Sequence, residues 1–131
     1  RRSAWARSLL SALVQMVTPL TPAARLELLA RESQGFVYAV TAAGTTGGTV
    51  AMPDDVLAYL DRVRATASVP VCAGFGIRSA AQVARLSGHA DGVIVGSALV
   101  ERIEHGGDVS DFLRGLRPGA GRPALQFGAG V

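Results

Sequence analysis

Gly92-Val-Ile-Val-Gly96-Ser97-Ala98 is a short apolar run that leads without a break into the start of a helix. Three earlier runs have the same apolar, β-branched character: Leu13–Thr18, Gly35–Thr41 and Val69–Phe75. Their apolar residues are consecutive rather than alternating with polar ones, which is typical of strands in a parallel sheet covered by helices. The sequence therefore predicts four strands, the last of them Gly92–Val95.

A helical pattern follows each predicted strand. The hydroxyls of Thr21 and Ser79 precede two of these patterns and are expected to act as N-caps, with Pro22 at the first helical position. Repeated β–α units of about 25–30 residues predict an α/β fold with right-handed crossovers. The predicted helices are Pro22–Arg31, Asp54–Thr66, Ser79–Ser87, Ala98–Glu104 and Val109–Leu116.

The number of β–α units falls short of a closed barrel. A (β/α)8 TIM barrel needs about 250 residues, whereas this chain has 131. We expect residues 1–118 to form half of such a barrel, and residues 119–131, rich in glycine and proline, to form a flexible tail. Three arrangements remain open: half of a longer chain, which we favour, two halves that associate, or a small open sheet.

The composition excludes several classes of protein. Apolar residues make up 49% of the chain and charged residues 18%, a balance that does not fit a disordered protein. No apolar run reaches the roughly 18 residues that span a bilayer, so no membrane segment is expected. Although the net charge is +3, the basic residues are scattered singly along the predicted helices, and we expect no nucleic-acid partner.

The single cysteine and the absence of lysine exclude two further kinds of chemistry, an internal disulfide and a Schiff base. Cys72 is the single cysteine, so no internal disulfide can form, and we expect a cytoplasmic protein. All 13 basic residues are arginine, and without lysine these residues cannot form the Schiff bases used by one class of aldolase and by pyridoxal-phosphate enzymes. No metal-ligand spacing is present, so neither a metal nor a cofactor is expected.

Three glycine-containing turns follow successive predicted strands: Gly44–Gly48, Gly74–Gly76 and Gly96-Ser97. In TIM barrels function lies at the carboxyl ends of the strands, where late loops and a short helix often bind phosphate. Glycine lets the backbone approach an anion, and the free N–H groups at a helix start can donate to phosphate oxygens. The turns therefore predict a phosphate site that needs no lysine.

These same segments carry a family resemblance that covers about residues 9–117. Gly35–Gly48 resembles the sixth strand and following mobile loop of the tryptophan synthase α subunit, and Leu13–Pro22 is similar to its fifth strand. Val69–Ile77, followed by Ser79 and Gln82-Val83, resembles its seventh strand and helix. Asp91–Ala98 is similar to its eighth strand and phosphate-binding helix. The resemblance implies the C-terminal half of a (β/α)8 barrel, strands 5–8.

The resemblance also implies a function and a set of binding residues. The family is a lyase that cleaves indole-3-glycerol phosphate to indole and glyceraldehyde 3-phosphate by a retro-aldol step, then passes indole to a pyridoxal-phosphate β subunit. Tyr38 and Phe75 would border the indole ring, and Thr46 would help to close the loop over it. The phosphate would be held by Gly47, Gly76, Gly96 and Ser97.

Two departures from the family pattern bear on activity. Many members have arginine where this chain has Ala42, so the anchoring of the loop is expected to differ. The family's two catalytic carboxylates, a Glu on strand 2 and an Asp in the following loop, belong to the other half of the barrel. No catalytic residue is assigned here, and we expect this chain alone to be inactive.

The acids and histidines present are expected to be structural. Asp54 and Asp55 fit the N-cap and the first turn of a helix, and Asp91 precedes a strand at the end opposite the site. Glu101 and Glu104 fit a solvated helix face. His89 lies before the last predicted strand and His105 near a helix C-terminus, and Cys72 fits a small core residue.

Two alternative functions remain open. Another phosphate-binding barrel enzyme, such as an epimerase, an isomerase or a thiamine-phosphate-synthase-like enzyme, would share Gly76 and Gly96-Ser97 but would not need Gly35–Gly48. A non-catalytic half-barrel module would instead form a concentration-dependent dimer that closes two halves.

Overall fold

A computed structural model describes residues 12–41, 53–74 and 76–117 of the chain. The predicted positions Ala42, Thr46, Gly47 and Phe75 and the predicted tail 119–131 lie outside these ranges. Within them the strands are β1 Gln15–Val17, β2 Val37–Val40, β3 Val71–Gly74 and β4 Gly92–Ile94. The helices are α1 Ala23–Glu32, α2 Asp54–Thr66, α3 Ala80–Leu86, α4 Ser97–Glu104 and α5 Val109–Leu116.

The described strands form one parallel sheet in the order β1-β2-β3-β4. Met16 pairs with Tyr38, Tyr38 with Cys72, and Cys72 with Gly92. Sequential strands are spatial neighbours joined by helical crossovers, as expected for consecutive β–α units. This arrangement confirms the predicted α/β fold with about four units of a barrel.

The hydrophobic core lies between the helices and one face of the sheet. Val17, Val37, Ala39, Val71 and Ala73 occupy alternate strand positions and are all fully buried. Helices contribute the opposing layer, which includes Leu26, Ala30, Leu60, Val63, Val83, Leu86 and Leu116. Burying a side chain of this size stabilises the fold by about 1.5–3 kcal/mol, so this single layer fixes the position of every strand.

The opposite face of the sheet is also apolar but is only partly covered by the described part of the chain. Met16 is 57% exposed, and Tyr38, Val40, Cys72 and Ile94 are half-buried. We call this surface, defined by these five residues, the open face. Strands that are apolar on both sides were predicted, and in a complete barrel this side of the sheet would line the interior.

The starts of α2, α3 and α5 agree with the predictions, whereas α4 begins one residue earlier than predicted, at Ser97, and α1 begins one residue later. Ser79 caps α3, where its hydroxyl accepts from the Gln82 N–H at 3.3 Å and the Gln82 side chain completes a capping box. Asp54 and Asp55 both lie in the first turn of α2, so the first-turn prediction is confirmed, but the predicted N-cap role of Asp54 is wrong because Pro53 occupies that position. The prediction of Thr21 as an N-cap with Pro22 inside the helix was wrong.

Helix α1 begins one residue later than predicted, at Ala23, with Pro22 in the cap position. The hydroxyl of Thr21 accepts from the Thr18 N–H at 2.9 Å and therefore belongs to the turn after β1. Side-chain hydrogen bonds within a turn compete with helix capping, and α1 has no side-chain hydrogen bond at its cap position.

Ionic contacts support the amino ends of the strands. One oxygen of Asp91 accepts from the Val71 N–H at 2.8 Å, and the other lies 3.2 Å from the Arg64 guanidinium. The His89 Nδ1 lies 2.8 Å from a carboxylate oxygen of Asp61. Asp91 and His89, for which structural roles were predicted, thus have partners at the end of the sheet opposite the glycine turns.

No helix among the described residues has the length and apolar character that a bilayer span requires. The histidine, cysteine and acidic side chains in the same part of the chain form no group that could hold a metal ion.

Candidate functional site

The turns after β3 and β4 lie next to each other at the carboxyl edge of the sheet. The two strands are parallel neighbours, with Gly74 in register with Ile94. Gly76 follows the first strand, and Gly96-Ser97 follows the second. The sheet thus brings together two of the three glycine turns predicted from the sequence; the third, Gly44–Gly48, lies entirely outside the described residues.

Gly76 has a backbone conformation that favours glycine. Its φ is 80°, in the left-handed region that a side chain makes costly. Its carbonyl accepts from the Gln82 side-chain amide at 3.1 Å, which fixes the turn against the start of α3. The backbone conformation of the turn thus favours glycine, and a hydrogen bond from α3 holds the turn in place. Gly76 itself is exposed.

Helix α4 presents unbonded N–H groups at the same edge. The N–H groups of Leu99 and Val100 both donate to the carbonyl of Gly96, at 3.0 and 3.1 Å. The N–H groups of Ser97 and Ala98 precede these first intrahelical bonds and have no helical acceptor. A Cβ built on Gly96 would meet no atom within 4 Å, so an anion can approach this backbone directly.

Tyr38 lies on the open face beside this edge. Its ring covers Gly74, the last residue of β3, which is buried. Thr41 anchors the same glycine, since its hydroxyl donates to the Gly74 carbonyl at 2.7 Å and its N–H donates at 2.9 Å. The end of β2 and the end of β3 are thereby held together, with the tyrosine ring as an aromatic wall.

An ion pair that the sequence did not predict joins the Gly76 turn to helix α4. The guanidinium of Arg78 binds the carboxylate of Glu101 through both nitrogens, with one Nη1–Oε1 distance of 3.3 Å. The hydrogen bond from Arg78 lowers the pKa of the Glu101 carboxyl below its ordinary value. Glu101 was expected on a solvated helix face; it is exposed, but it has this partner.

Cys72 lies on the open face and is unsuited to nucleophilic catalysis. Burial raises the pKa of its thiol, and the charge of Asp91 raises it further. The thiolate is the reactive form of cysteine, so at neutral pH this side chain stays a small, uncharged component of the sheet. The five side chains of the open face are apolar or weakly polar. They can contact an apolar ligand, but none of them is a carboxylate that could transfer protons.

The structure describes four of the seven predicted binding residues and places them at or beside one edge. Gly76, Gly96 and Ser97 form the two adjacent turns, and Tyr38 flanks them. Thr46, Gly47 and Phe75 lie outside the described residues, so their placement stays a prediction. The arrangement can hold an anionic group with backbone donors next to an aromatic side chain.

Comparison with known proteins identifies relatives that share most of this chain. The family model described as "Tryptophan synthase alpha chain" matches residues 5–114. The tryptophan synthase alpha chain of Bacillus mycoides strain KBAB4 is 44% identical over 94 residues, which are 72% of this chain and 36% of that relative. The chain therefore spans about a third of the length of the curated relatives that it matches.

Solved structures give the same result. A mutant tryptophan synthase α subunit from Pyrococcus furiosus superposes with a TM-score of 0.71 at 32% identity, covering 85% of this chain and 46% of the other. A second structure from the same organism, which concerns mutual activation of the tryptophan synthase α2β2 complex, superposes with a TM-score of 0.70 at 34% identity. It covers 85% of this chain and 46% of the other. The described sheet and helices correspond to part of these TIM barrels.

Proposed function

Because the chain belongs to the tryptophan synthase α-chain family, we propose that it supplies the substrate-binding part of a lyase acting on indole-3-glycerol phosphate. The reaction is a retro-aldol cleavage to indole and glyceraldehyde 3-phosphate in tryptophan biosynthesis. One observation carries the proposal: the Gly76 turn and the start of α4 lie side by side at the carboxyl edge, next to the ring of Tyr38.

The phosphate of the substrate would bind between the two turns. Backbone N–H groups at Ser97 and Ala98 can donate to its oxygens, and Gly96 leaves room for the anion. The helix dipole of α4 adds about 0.3–1 kcal/mol of favourable interaction with a negative group at its amino end. The Ser97 hydroxyl, exposed at the first helical position, is a further donor.

The indole ring would lie against the open face. Tyr38 offers a half-buried aromatic surface, and flat aromatic ligands pack well against such rings. By family resemblance Phe75 would form the other wall, Thr46 would help to close a loop over the substrate that excludes water, and Gly47 would help to hold the phosphate. Ala42 leaves that loop without the arginine that many family members have.

Proton transfer would depend on groups outside this chain. The cleavage needs an acid to protonate the indole ring and a base to remove a proton, and the open face has no carboxylate. The family's Glu and Asp would supply these functions from the other half of the barrel. We further infer a cytoplasmic location and a tryptophan synthase β subunit as partner, supported by the α2β2 complex of a structural relative.

A binding experiment tests the phosphate site directly. Calorimetric titration of the chain with glycerol 3-phosphate should show weak binding, and Gly96→Asp should reduce the affinity at least about tenfold because like charges repel at short range. Gly115→Asp in α5 is the matched control, since a Cβ at either glycine meets no atom within 4 Å. Equal affinities for the two variants would contradict the proposed site.

An activity experiment tests the division of roles. Incubated with indole-3-glycerol phosphate, the chain alone should release no indole, whereas mixing it with the amino-terminal half of a family member should restore cleavage. Indole release by the chain alone would show that it contains its own proton-transfer groups.

A different phosphate-binding barrel enzyme is the second candidate, because Gly76 and Gly96-Ser97 would serve any phosphorylated substrate. Tyr38→Ala distinguishes the two. In the proposed lyase this change weakens the binding of indole-3-glycerol phosphate and leaves that of glycerol 3-phosphate unchanged. Unchanged affinity for both ligands would favour the second candidate.

A further inference from the structure

The ion pair between Arg78 and Glu101 connects the two segments that form the proposed phosphate site. Arg78 lies two residues after Gly76, in the turn that precedes α3, whereas Glu101 lies in α4. Glu101 is four residues after Ser97, and residues with this spacing share a helix face. The ion pair therefore links the first turn to the helix face that carries Ser97.

The backbone of the Arg78 turn is fixed independently from the α3 side. The Gln82 side-chain oxygen accepts from the N–H of Arg78 at 2.7 Å and from the N–H of Ser79 at 3.1 Å. Its amide nitrogen donates to the carbonyl of Gly76 at 3.1 Å. With its backbone held by α3, the turn can transmit the position of α3 to α4 through the Arg78 guanidinium.

We propose that Arg78 and Glu101 are positioning residues that hold the Gly76 turn and the start of α4 at the separation which a bound phosphate group requires. Two nitrogens facing two oxygens fix orientation as well as distance. The charge of Arg78 is balanced by Glu101, so the bound anion interacts mainly with backbone donors. The inference rests on the proposed function, because it assigns a role within the same phosphate site.

Charge removal and charge exchange test this role by titration with inorganic phosphate and with glycerol 3-phosphate. Arg78→Gln and Glu101→Gln should each weaken binding about two- to fivefold, the range expected for an exposed ion pair. The double variant with Arg78→Glu and Glu101→Arg should recover most of the lost affinity, because it restores an ion pair between the two positions. Arg114→Gln, which removes an exposed ion pair with Asp111 in α5, should change nothing.

The possible results separate the inference from the proposed function. Absence of phosphate binding by the parent chain would overturn the proposed site and the positioning role together. Binding by the parent that survives both single substitutions would overturn the positioning role alone. Stronger binding by Glu101→Gln would also overturn it, since Arg78 would then be a direct phosphate ligand with which Glu101 competes. Thermal denaturation of each variant confirms that the compared chains are folded.

Discussion

The ring of Tyr38 lies directly over Gly74, so that a Cβ built on this glycine would be 2.6 Å from the tyrosine hydroxyl and 2.8 Å from Cζ. Real Cβ atoms do not approach other atoms so closely, and the nearest contacts are parts of a ring rather than of a flexible chain. Glycine at this position therefore gives Tyr38 its place on the open face. A strand residue and a neighbouring aromatic side chain together shape the proposed indole wall.

Gly74→Ala should destabilise the chain because the new methyl group displaces the Tyr38 ring. Overpacking of this kind costs about 1–3 kcal/mol of unfolding free energy, which urea denaturation will measure. Gly115→Ala is the control, since its Cβ enters open space in a helix and alanine there should stabilise by up to about 1 kcal/mol. In a Tyr38→Ala background the cost of Gly74→Ala should fall, and an unchanged cost would show that the ring is elsewhere.

Tyr59→Phe should lower the unfolding free energy by about 1 kcal/mol. The Tyr59 side chain is 1% exposed, and its hydroxyl donates to the Val17 carbonyl at 2.9 Å, which ties α2 to β1. Tyr38→Phe serves as the comparison because it removes a hydroxyl from a half-buried ring. If the two variants lose equal stability in urea denaturation, the buried hydrogen bond contributes nothing.

Alkaline pH should destabilise the parent chain through the same tyrosine. Burial raises the pKa of Tyr59 above its ordinary value of about 10, so the folded state keeps a proton that the unfolded state has lost. The contribution is fully present below about pH 10 and is lost as pH rises toward the folded pKa, at up to about 1.4 kcal/mol per pH unit.

The pH experiment needs the thiol removed, because burial also raises the pKa of Cys72 and adds a loss of the same sign at lower pH. Urea denaturation between pH 8 and 11 is therefore compared in a Cys72→Ala background with and without Tyr59→Phe. A steeper alkaline loss with the tyrosine present is expected. Parallel curves would contradict the assigned role of the buried hydroxyl.

Local signals in the sequence were sufficient for most of the fold. Helices Asp54–Thr66 and Val109–Leu116 have the predicted bounds, because apolar spacing and polar starts are properties of the helix itself. Strands are shorter than their apolar runs: Leu13–Thr18 contains a strand of only Gln15–Val17. A strand ends where its neighbour stops offering partners, and this information lies in another part of the chain.

Part of the candidate site could also be predicted from the sequence, and part could not. Glycines after consecutive strands correctly placed Gly76 and Gly96 at one edge, since parallel strands bring their carboxyl ends together. The contact between Arg78 and Glu101 was missed because the two residues are 23 positions apart and no spacing rule joins a turn to a later helix. The pair forms because the folded chain places the turn before α3 next to helix α4.

Ser79→Ala should remove the cap of α3 and cost about 1 kcal/mol of unfolding free energy. The hydroxyl accepts from the Gln82 N–H, and the same glutamine holds the carbonyl of Gly76. Loss of the cap should therefore weaken phosphate binding as well as stability. Ser110→Ala, at an exposed position in α5, is the control, and equal effects of the two substitutions on urea denaturation would contradict the capping role.

The open face should make the isolated chain self-associate, because the surface that the other half of a barrel would cover is partly exposed in this chain. Exposed apolar patches and unpaired strand edges favour contact with another chain, and Met16 is 57% exposed on β1. Sedimentation velocity should show a dimer fraction that rises with concentration and falls with Met16→Glu. Val100→Glu introduces the same charge at a comparably exposed residue of α4, 53% exposed, and should leave the association unchanged. A chain that stays monomeric at every concentration, or a dimer that Met16→Glu does not weaken, would show that the open face does not mediate pairing.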